Sequence, residues 1–412
     1  MKKKYIFLVI IFLVAAAMYS QFFYKNKTLK FIPENADAVV LVDVKKVTRQ
    51  YIYELLTHPS AWFKDDKKNK EKISFRKSGV KIPDFIQIFH QKNTKISEWY
   101  TILEIDDKDK FSAFLKSRHF LNDGKNKFKN GRFFIQIEGE NCIVGTSAQN
   151  FKNIGSPLSQ KFRNKIFNAD SFMQDGLGSV SLISETGTRN FSIDLNDNEL
   201  EIQSSQNAQN FTSLVADLDR ETEFLKAELD QSNIRNISSF FNKNISDSVS
   251  VNSLKMSADL KEITDTIISY GYDDNFNEIE KVSYQKIVQP NYELILQTSD
   301  ADKTWSYFQQ KKWINSQNQF TTIPFQPNVV YRSNNSIYIK STRKPVKNND
   351  FRKQNYIFVK NDRLLFSAFG SFGNSYQKLF SKVDYIFYGN RSQDYLIKIK
   401  LEKNKLPFLL RL

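Results

Sequence analysis

The 412-residue sequence has little of the two side chains that most often carry metal ions and nucleophilic chemistry. It contains one cysteine and three histidines, so it cannot form a disulfide within the chain and offers few ligands for zinc. Its 13 glycines and 9 prolines are too few for a collagen-like or a glycine- and proline-rich low-complexity protein. These shortages exclude a disulfide-stabilised scaffold, a collagen-like chain and a low-complexity chain.

Local catalytic and nucleotide-binding motifs are missing as well. The sequence has no G-x-x-x-x-G-K-[ST] loop, no G-x-G-x-x-G, no G-x-S-x-G and no H-E-x-x-H. His58, His90 and His119 are too far apart for a local zinc motif, and Cys142 lies in an apolar run typical of a buried strand. We therefore predict no catalytic residue, no cofactor and no metal site, and the sequence disfavours an enzyme. A hydrolase whose site forms only in the folded chain is the first alternative.

Apolar residues and positive charge are abundant. Hydrophobic residues make up 40% and aromatic residues 14% of the chain, which is ample for folded domains. The net charge is +15, of which residues 1–30 carry +6 and residues 64–81 carry +5. Because this charge is not interleaved with aromatics along a recognition motif, the pattern disfavours nucleic acid. A polyanion binder is the second alternative, and candidate contacts to anionic lipid are Lys67, Lys68, Lys70 and Lys72.

The N-terminus has the pattern of an export segment. Three lysines precede an apolar run from Tyr5 to Tyr19, which continues with two polar interruptions to Tyr24. The longer run of about 20 residues suffices to cross a bilayer, so we expect residues 1–27 to form an uncleaved signal-anchor. A cleaved signal peptide is the alternative, because small residues lie at 15–17. The residues expected to contact the bilayer are Tyr5, Ile6, Phe7, Leu8, Val9, Ile10, Ile11, Phe12, Leu13, Val14, Tyr19 and Tyr24.

The remainder of the chain contains internal repetition. Four blocks occur twice in the same order, and they pair residues 31–45 with 241–255, 102–110 with 295–303, 134–144 with 356–366, and 180–195 with 384–399. In the clearest pair, Asp107, Asp109 and Lys110 match Asp300, Asp302 and Lys303. A repeated order of this kind indicates two related halves.

The repeated acidic pair has a structural explanation. Asp107 and Asp300 each follow an apolar run of strand type and precede a segment of helical type. An aspartate at this position caps a helix, and a second acid in the first turn suits the helix dipole. We therefore predict two helix N-termini rather than a metal or catalytic carboxylate pair.

A long hairpin is predicted in the second half. Residues 263–272 and 278–288 read as two strands around Asp273, Asp274 and Asn275. This acidic cluster lacks the glycine and the bidentate glutamate that a calcium loop needs, so it indicates a turn.

These patterns predict an α+β fold. Its two related strand–helix–strand–helix–hairpin halves have largely antiparallel sheets and follow one N-terminal transmembrane helix. The predicted segments are an anchor at 1–27, a first repeat at 28–206, a connecting helix at 207–240 and a second repeat at 241–412. The connecting helix rests on the spacing of leucines such as Leu214, Leu218, Leu225 and Leu229.

The strand that follows the N-terminal segment supports a resemblance. Residues 32–43 read I-P-E-N-A-D-A-V-V-L-V-D. With the preceding apolar segment, this motif resembles uncharacterised membrane-anchored bacterial envelope proteins whose exported part begins with such a strand. The resemblance implies an inner-membrane location with the body in the periplasm, and it supplies no catalytic residues. We therefore expect a non-enzymatic envelope protein that contacts the bilayer and binds a protein, a lipid or a glycan.

Overall fold

In the computed structural model the chain divides into two compact units. The first comprises Met1–Ser205 with Asn404–Leu412, and the second comprises Gln206–Lys403. The structure describes residues 12–13, 19–62, 75–159, 167–173, 175–204, 211–240, 251–322, 328–341, 354–362, 364, 382–404 and 406–411.

Twelve strands and three α-helices are described in the first unit. The strands are β1 (Thr28–Leu29), β2 (Ala36–Asp43), β3 (Phe85–Gln91), β4 (Trp99–Glu104), β5 (Leu121–Asn122), β6 (Lys127–Asn130), β7 (Phe133–Glu138), β8 (Asn141–Gly145), β9 (Phe167–Asn168), β10 (Gly178–Ser184), β11 (Gly187–Leu195) and β12 (Glu199–Ser204). The helices are α1 (Val44–Thr57), α2 (Lys108–Ser117) and α3 (Phe151–Ser159).

The sheet of the first unit is antiparallel throughout. Its strand order is β12-β11-β10-β2-β3-β4-β8-β7-β6-β5, while β1 and β9 form a separate pair. Strand β2 lies inside this sheet, paired with β10 on one side and β3 on the other, and its Val39 and Leu41 are fully buried. They pack with Phe89 and Tyr100 in one of the two apolar cores of the unit.

The second unit has eight described strands and three α-helices. The strands are β13 (Leu225–Asp230), β14 (Val251–Tyr272), β15 (Glu278–Thr298), β16 (Asn328–Ser333), β17 (Ser336–Ser341), β18 (Asn355–Lys360), β19 (Val383–Arg391) and β20 (Asp394–Leu401). The helices are α4 (Thr212–Arg220), α5 (Gln231–Phe240) and α6 (Ala301–Gln310).

The two sheets share one strand order. In the second unit the order is β20-β19-β18-β13-β14-β15-β17-β16, all antiparallel. This matches β12-β11-β10-β2-β3-β4-β8-β7 strand for strand. In chain order, a helix follows the first strand of each set, namely α1 after β2 and α5 after β13. Another follows the third, namely α2 after β4 and α6 after β15. The structural repeat of β2 therefore begins at Leu225, and the pairing of residues 31–45 with 241–255 predicted from sequence is wrong. The predicted pairings of 134–144 with 356–366 and of 180–195 with 384–399 are wrong as well, because β7 and β8 correspond to β16 and β17, and β10 and β11 correspond to β18 and β19.

The predicted helix caps are confirmed. The carboxylate of Asp107 accepts hydrogen bonds from the backbone N–H of Asp109 and Lys110 at the start of α2. The carboxylate of Asp300 accepts one from the N–H of Lys303 at the start of α6, at 2.9 Å. The apolar run before each aspartate is a strand, β4 or β15, so the local pattern was sufficient here.

The predicted fold class is wrong in two respects. In the part of the chain that the structure describes, strand accounts for 48% and helix for 23%, so sheet dominates the architecture instead of sharing it with helix. The predicted N-terminal transmembrane helix is not found among the residues that the structure describes. Within the part of the chain that the structure describes, no helix is both long and apolar enough to cross a membrane.

The predicted connecting helix over 207–240 is replaced by a helix, a strand and a second helix. Leu225 and Leu229 belong to β13, which pairs with β14 on one side and β18 on the other. Leu225, Ala227 and Leu229 alternate along β13 and share one face of the strand, so the four-residue spacing of the two leucines comes from a strand and not from a helix turn. Leu214 and Leu218 do lie on the buried face of a helix, α4.

Candidate binding surface on a projecting hairpin

The most unusual feature of the second unit is the length of the β14–β15 hairpin. Its strands have 22 and 21 residues, whereas a typical strand has about five or six. Strand β13 pairs with β14 only from Ser253 to Ala258, and β17 pairs with β15 only from Glu293 to Gln297. Residues 261–288 therefore extend beyond every described neighbouring strand. We call this segment the arm.

The root of the arm is held firmly in the unit. Tyr292, Leu294 and Leu296 of β15 are buried in an apolar core that also contains Phe308 of α6. Asn291 is buried, and its side-chain oxygen accepts a hydrogen bond from the hydroxyl of Ser341 at 2.5 Å. Burial raises the pKa of Tyr292 to about 12, although a hydrogen bond with Asn328 opposes the shift. The arm thus begins from a packed core.

No side chain of the arm is buried. Every residue from 261 to 288 is exposed or half-buried, and the paired register continues without interruption from 261 to the turn. The arm contains twelve residues of β14, from 261 to 272, and at a rise of about 3.4 Å per residue it is about 40 Å long. It is therefore a two-stranded ribbon with both faces open to solvent.

One face of the arm carries a cluster of tyrosines. Residues paired across the strands lie on the same face, and the register places Ile268 opposite Val282 and Tyr284 opposite Thr266. Tyr270 and Tyr272 share this face, and the three tyrosines are 68–73% exposed. We call this surface the tyrosine face. Large aromatic side chains in this state are typical of binding surfaces rather than of monomer exteriors.

The tip of the arm presents a phenylalanine. The carboxylate of Asp273 accepts hydrogen bonds from the N–H groups of Asn275 and Asn277 at 2.9 and 2.8 Å and from the Asn277 side chain at 3.0 Å. These bonds hold the pKa of Asp273 below its usual value. The turn places Phe276 at φ 62°, a left-handed conformation that a bulky residue rarely adopts, with its ring 86% exposed. The predicted turn is confirmed.

The arm is acidic although the chain is basic. It carries six acidic and three basic side chains, a net charge of −3, while the rest of the chain carries +18. Four of the acids lie within eight residues at the tip, from Asp273 to Glu280. Near the root, Lys286 and Glu262 form an exposed ion pair at 2.7 Å, and this contact raises the pKa of Lys286.

The residues predicted to contact the membrane are only partly described. Phe12, Leu13, Tyr19 and Tyr24 are exposed, whereas the following lie outside the described residues: Tyr5, Ile6, Phe7, Leu8, Val9, Ile10, Ile11, Val14, Lys67, Lys68, Lys70 and Lys72.

Residues 20–24, at the end of this N-terminal run, form hydrogen bonds with side chains of α1. The ammonium of Lys45 donates hydrogen bonds to the carbonyls of Ser20 and Tyr24. Arg49 donates to the carbonyl of Phe22, and its guanidinium lies 4.8 Å from the centre of the Phe23 ring. These contacts explain the position of residues 20–24.

The described histidines and the cysteine do not assemble a reactive centre. His90 is buried, with Nδ1 2.6 Å from Asp37 of β2 and Nε2 3.0 Å from the carbonyl of Lys95 in the loop after β3, so both ring nitrogens have partners. Burial raises the pKa of the Cys142 thiol to about 12. Among the described residues, no three His, Cys, Asp or Glu side chains are grouped to hold a metal ion.

Sequence reasoning found the hairpin but missed the arm as a site. The signal was present in the length of the two strand-like runs and in apolar residues on both alternating faces. Comparison of the chain with protein-family models, curated protein sequences and solved structures gives no match.

Proposed function

We propose that this protein is a non-enzymatic binding protein of the bacterial cell envelope that captures a protein partner on its arm. The observation that carries the proposal is the exposed tyrosine face on a ribbon rooted in a packed core. A ribbon about 40 Å long and roughly 10 Å wide offers about 400 Å² on the tyrosine face, about half of the surface that one partner contributes to a stable interface.

The charge of the arm favours a protein over a lipid bilayer. Acidic side chains surround Phe276 at the tip, where an anionic membrane surface would repel them. A basic protein surface would attract the same side chains and accelerate docking. Tyrosines on the adjoining face supply apolar contact area with little loss of side-chain entropy.

The alternatives considered from sequence gain no support from the site. An acidic arm does not suit a polyanion binder, because phosphate groups are attracted by lysine and arginine. A hydrolase needs a nucleophile or base positioned beside an oxyanion site, and the arm contains no such arrangement.

The envelope location rests on the sequence pattern of the first 24 residues. Three lysines followed by an apolar run are typical of exported proteins. We expect externally added protease to cut the chain in cells whose outer membrane has been permeabilised. Protection of the chain until the inner membrane is lysed would contradict this location.

The binding role is tested with a photo-crosslinking amino acid placed at single positions in intact cells. We expect the probe at Tyr272 to give one discrete protein adduct. Leu121 is the matched control, because it is 73% exposed but lies on the other unit. A probe at Leu121 should give no adduct of that size. Equal labelling from both positions, or none from Tyr272, would overturn the proposal.

A further inference from the structure

The arm has a second surface besides its faces, namely the outer edge of β15. Strand β14 covers one side of β15, and no described strand pairs with the other side between residues 278 and 292. A long edge of this kind is a template for pairing with another chain unless it is blocked. The edge carries no proline until Pro290, at the root.

The alternation of hydrogen-bonded pairs along the hairpin shows which residues direct their main-chain N–H and C=O groups to the outer edge. The N–H of Asp273 donates to the carbonyl of Asn277 at 2.9 Å, so the main-chain groups of these two residues point inward, towards each other across the hairpin. Inward and outward pairs alternate in an antiparallel hairpin. The even-numbered residues of β15 therefore direct their main-chain groups to the free edge. Pro290, which has no N–H, lies opposite Leu260 at such an outward position.

The sequence along this edge is complementary to itself. When two copies of residues 278–288 are placed antiparallel about Ser283, Glu280 falls opposite Lys286 of the second copy. In the same register Val282 falls opposite Tyr284, and Ile279 opposite Ile287 on the other face. Even positions meet even positions, so the outward main-chain groups of both strands face one another.

The outer edge of β14 offers no comparable match. Residues 262–272, which pair with residues 278–288, carry two acidic side chains and no basic one, so they provide no opposite charges to set a register. The complementarity is therefore a property of β15 and not of the arm as a whole.

We propose that two copies of this chain pair through the β15 edge of their arms, antiparallel and with the two-fold axis at Ser283. The two arms then form a four-stranded ribbon with about twelve new main-chain hydrogen bonds, two for each of the six pairs of even-numbered residues between 278 and 288. Each copy contributes the same edge, as a two-fold interface requires. This inference concerns the edge of the arm, so it does not depend on a partner binding the tyrosine face.

The test is disulfide crosslinking of the full-length chain at the axis. Across the proposed interface the two Ser283 residues form a non-hydrogen-bonded pair. The Cα atoms of such a pair lie about 4.5 Å apart, within reach of a disulfide. Ser283→Cys should give a thiol-reversible dimer of twice the 48.2 kDa chain mass under mild oxidation. The background is low because Cys142, the one native cysteine, is buried and its thiol pKa is raised to about 12.

Ser269→Cys is the matched control. Ser269 is exposed on the same face of the arm but belongs to β14, two strands from the axis. It should stay monomeric under the same oxidation. Equal dimer yields from the two variants would indicate random collision, and a monomeric Ser283→Cys chain would exclude the pairing. Either result overturns the inference. A disulfide adduct of Ser283→Cys with a different protein would also overturn it.

Edge and charge variants made in the Ser283→Cys chain test the register. Val282→Pro removes an outward N–H from the β15 edge and should abolish the dimer, whereas Ile268→Pro makes the same change on the β14 edge and should leave it intact. Glu280→Lys sets like charges opposite each other and should lower the yield about tenfold. The combined Glu280→Lys and Lys286→Glu exchange should restore it. Dimers that persist in Val282→Pro would contradict the proposed edge.

Discussion

Replacing Asp43 with alanine should destabilise the first unit far more than a typical helix-cap change. Asp43 is fully buried at the junction of β2 and α1. One carboxylate oxygen accepts a hydrogen bond from the N–H of Lys46 at 2.8 Å, and the other contacts the ammonium of Lys25. The substitution removes a helix cap and leaves a cation without its partner.

The expected cost follows from these two losses. The cap contributes about 1 kcal/mol. Breaking a buried ion pair costs about 3 to 5 kcal/mol, and the lower end applies because the Lys25 side chain keeps 22% of its surface exposed. The loss in free energy of unfolding is therefore about 4 kcal/mol. Asp43→Asn keeps a capping side chain and should cost less than the alanine variant.

Asp300→Ala is the matched control in the second unit. Asp300 also caps a helix, through the N–H of Lys303 at 2.9 Å, but it is exposed. Its loss should cost about 1 kcal/mol. Hydrogen exchange of peptides from β2 and α1, compared with peptides from β15 and α6, measures the two effects separately. Equal costs for Asp43→Ala and Asp300→Ala would refute the role given to the Lys25 contact.

Three further predictions concern single residues. Cys142 should resist a thiol reagent at pH 8 in the native chain and react fully in guanidinium, because burial raises its pKa to about 12; reaction at equal rates in both would contradict this. Gly178→Ala should unfold the first unit more easily, since its Cβ would lie 2.4 Å from the carbonyl oxygen of Leu41; an unchanged melting temperature would exclude that contact. Burial would raise the pKa of Asp230, but hydrogen bonds from Asn233 and Asn355 hold it below 3.8. Its contribution to stability should be complete above about pH 4 and be lost as the pH falls through the lowered pKa. Asp230→Asn should flatten this acid limb in a thermal-melting series.

Local steps of the fold were predictable from the sequence. Asp107 and Asp300 mark helix starts through side-chain bonds to groups two or three residues away, so each signal is contained in a short window. The turn at Asp273 was predictable for the same reason.

Choices that depend on distant neighbours were not predictable in this way. Leu225 and Leu229 fit a helix in isolation, but β14 and β18 take up the hydrogen bonds of that segment from both sides. The exposure of Tyr270 and Tyr284 depends on where β13 and β17 end, which no pattern within the hairpin reveals. The candidate site could therefore be recognised as a hairpin but not as a free surface.

The most direct test of the arm as a binding surface is the yield of the Tyr272 photo-adduct in intact cells, with Tyr270 and Tyr284 either present or replaced by serine. Both tyrosines are exposed, so their replacement should change stability by no more than about 0.5 kcal/mol each. We predict that the adduct disappears in the Tyr270→Ser, Tyr284→Ser chain while the level of folded protein stays the same. An adduct of undiminished yield in that chain would contradict the assignment of the tyrosine face as the binding surface.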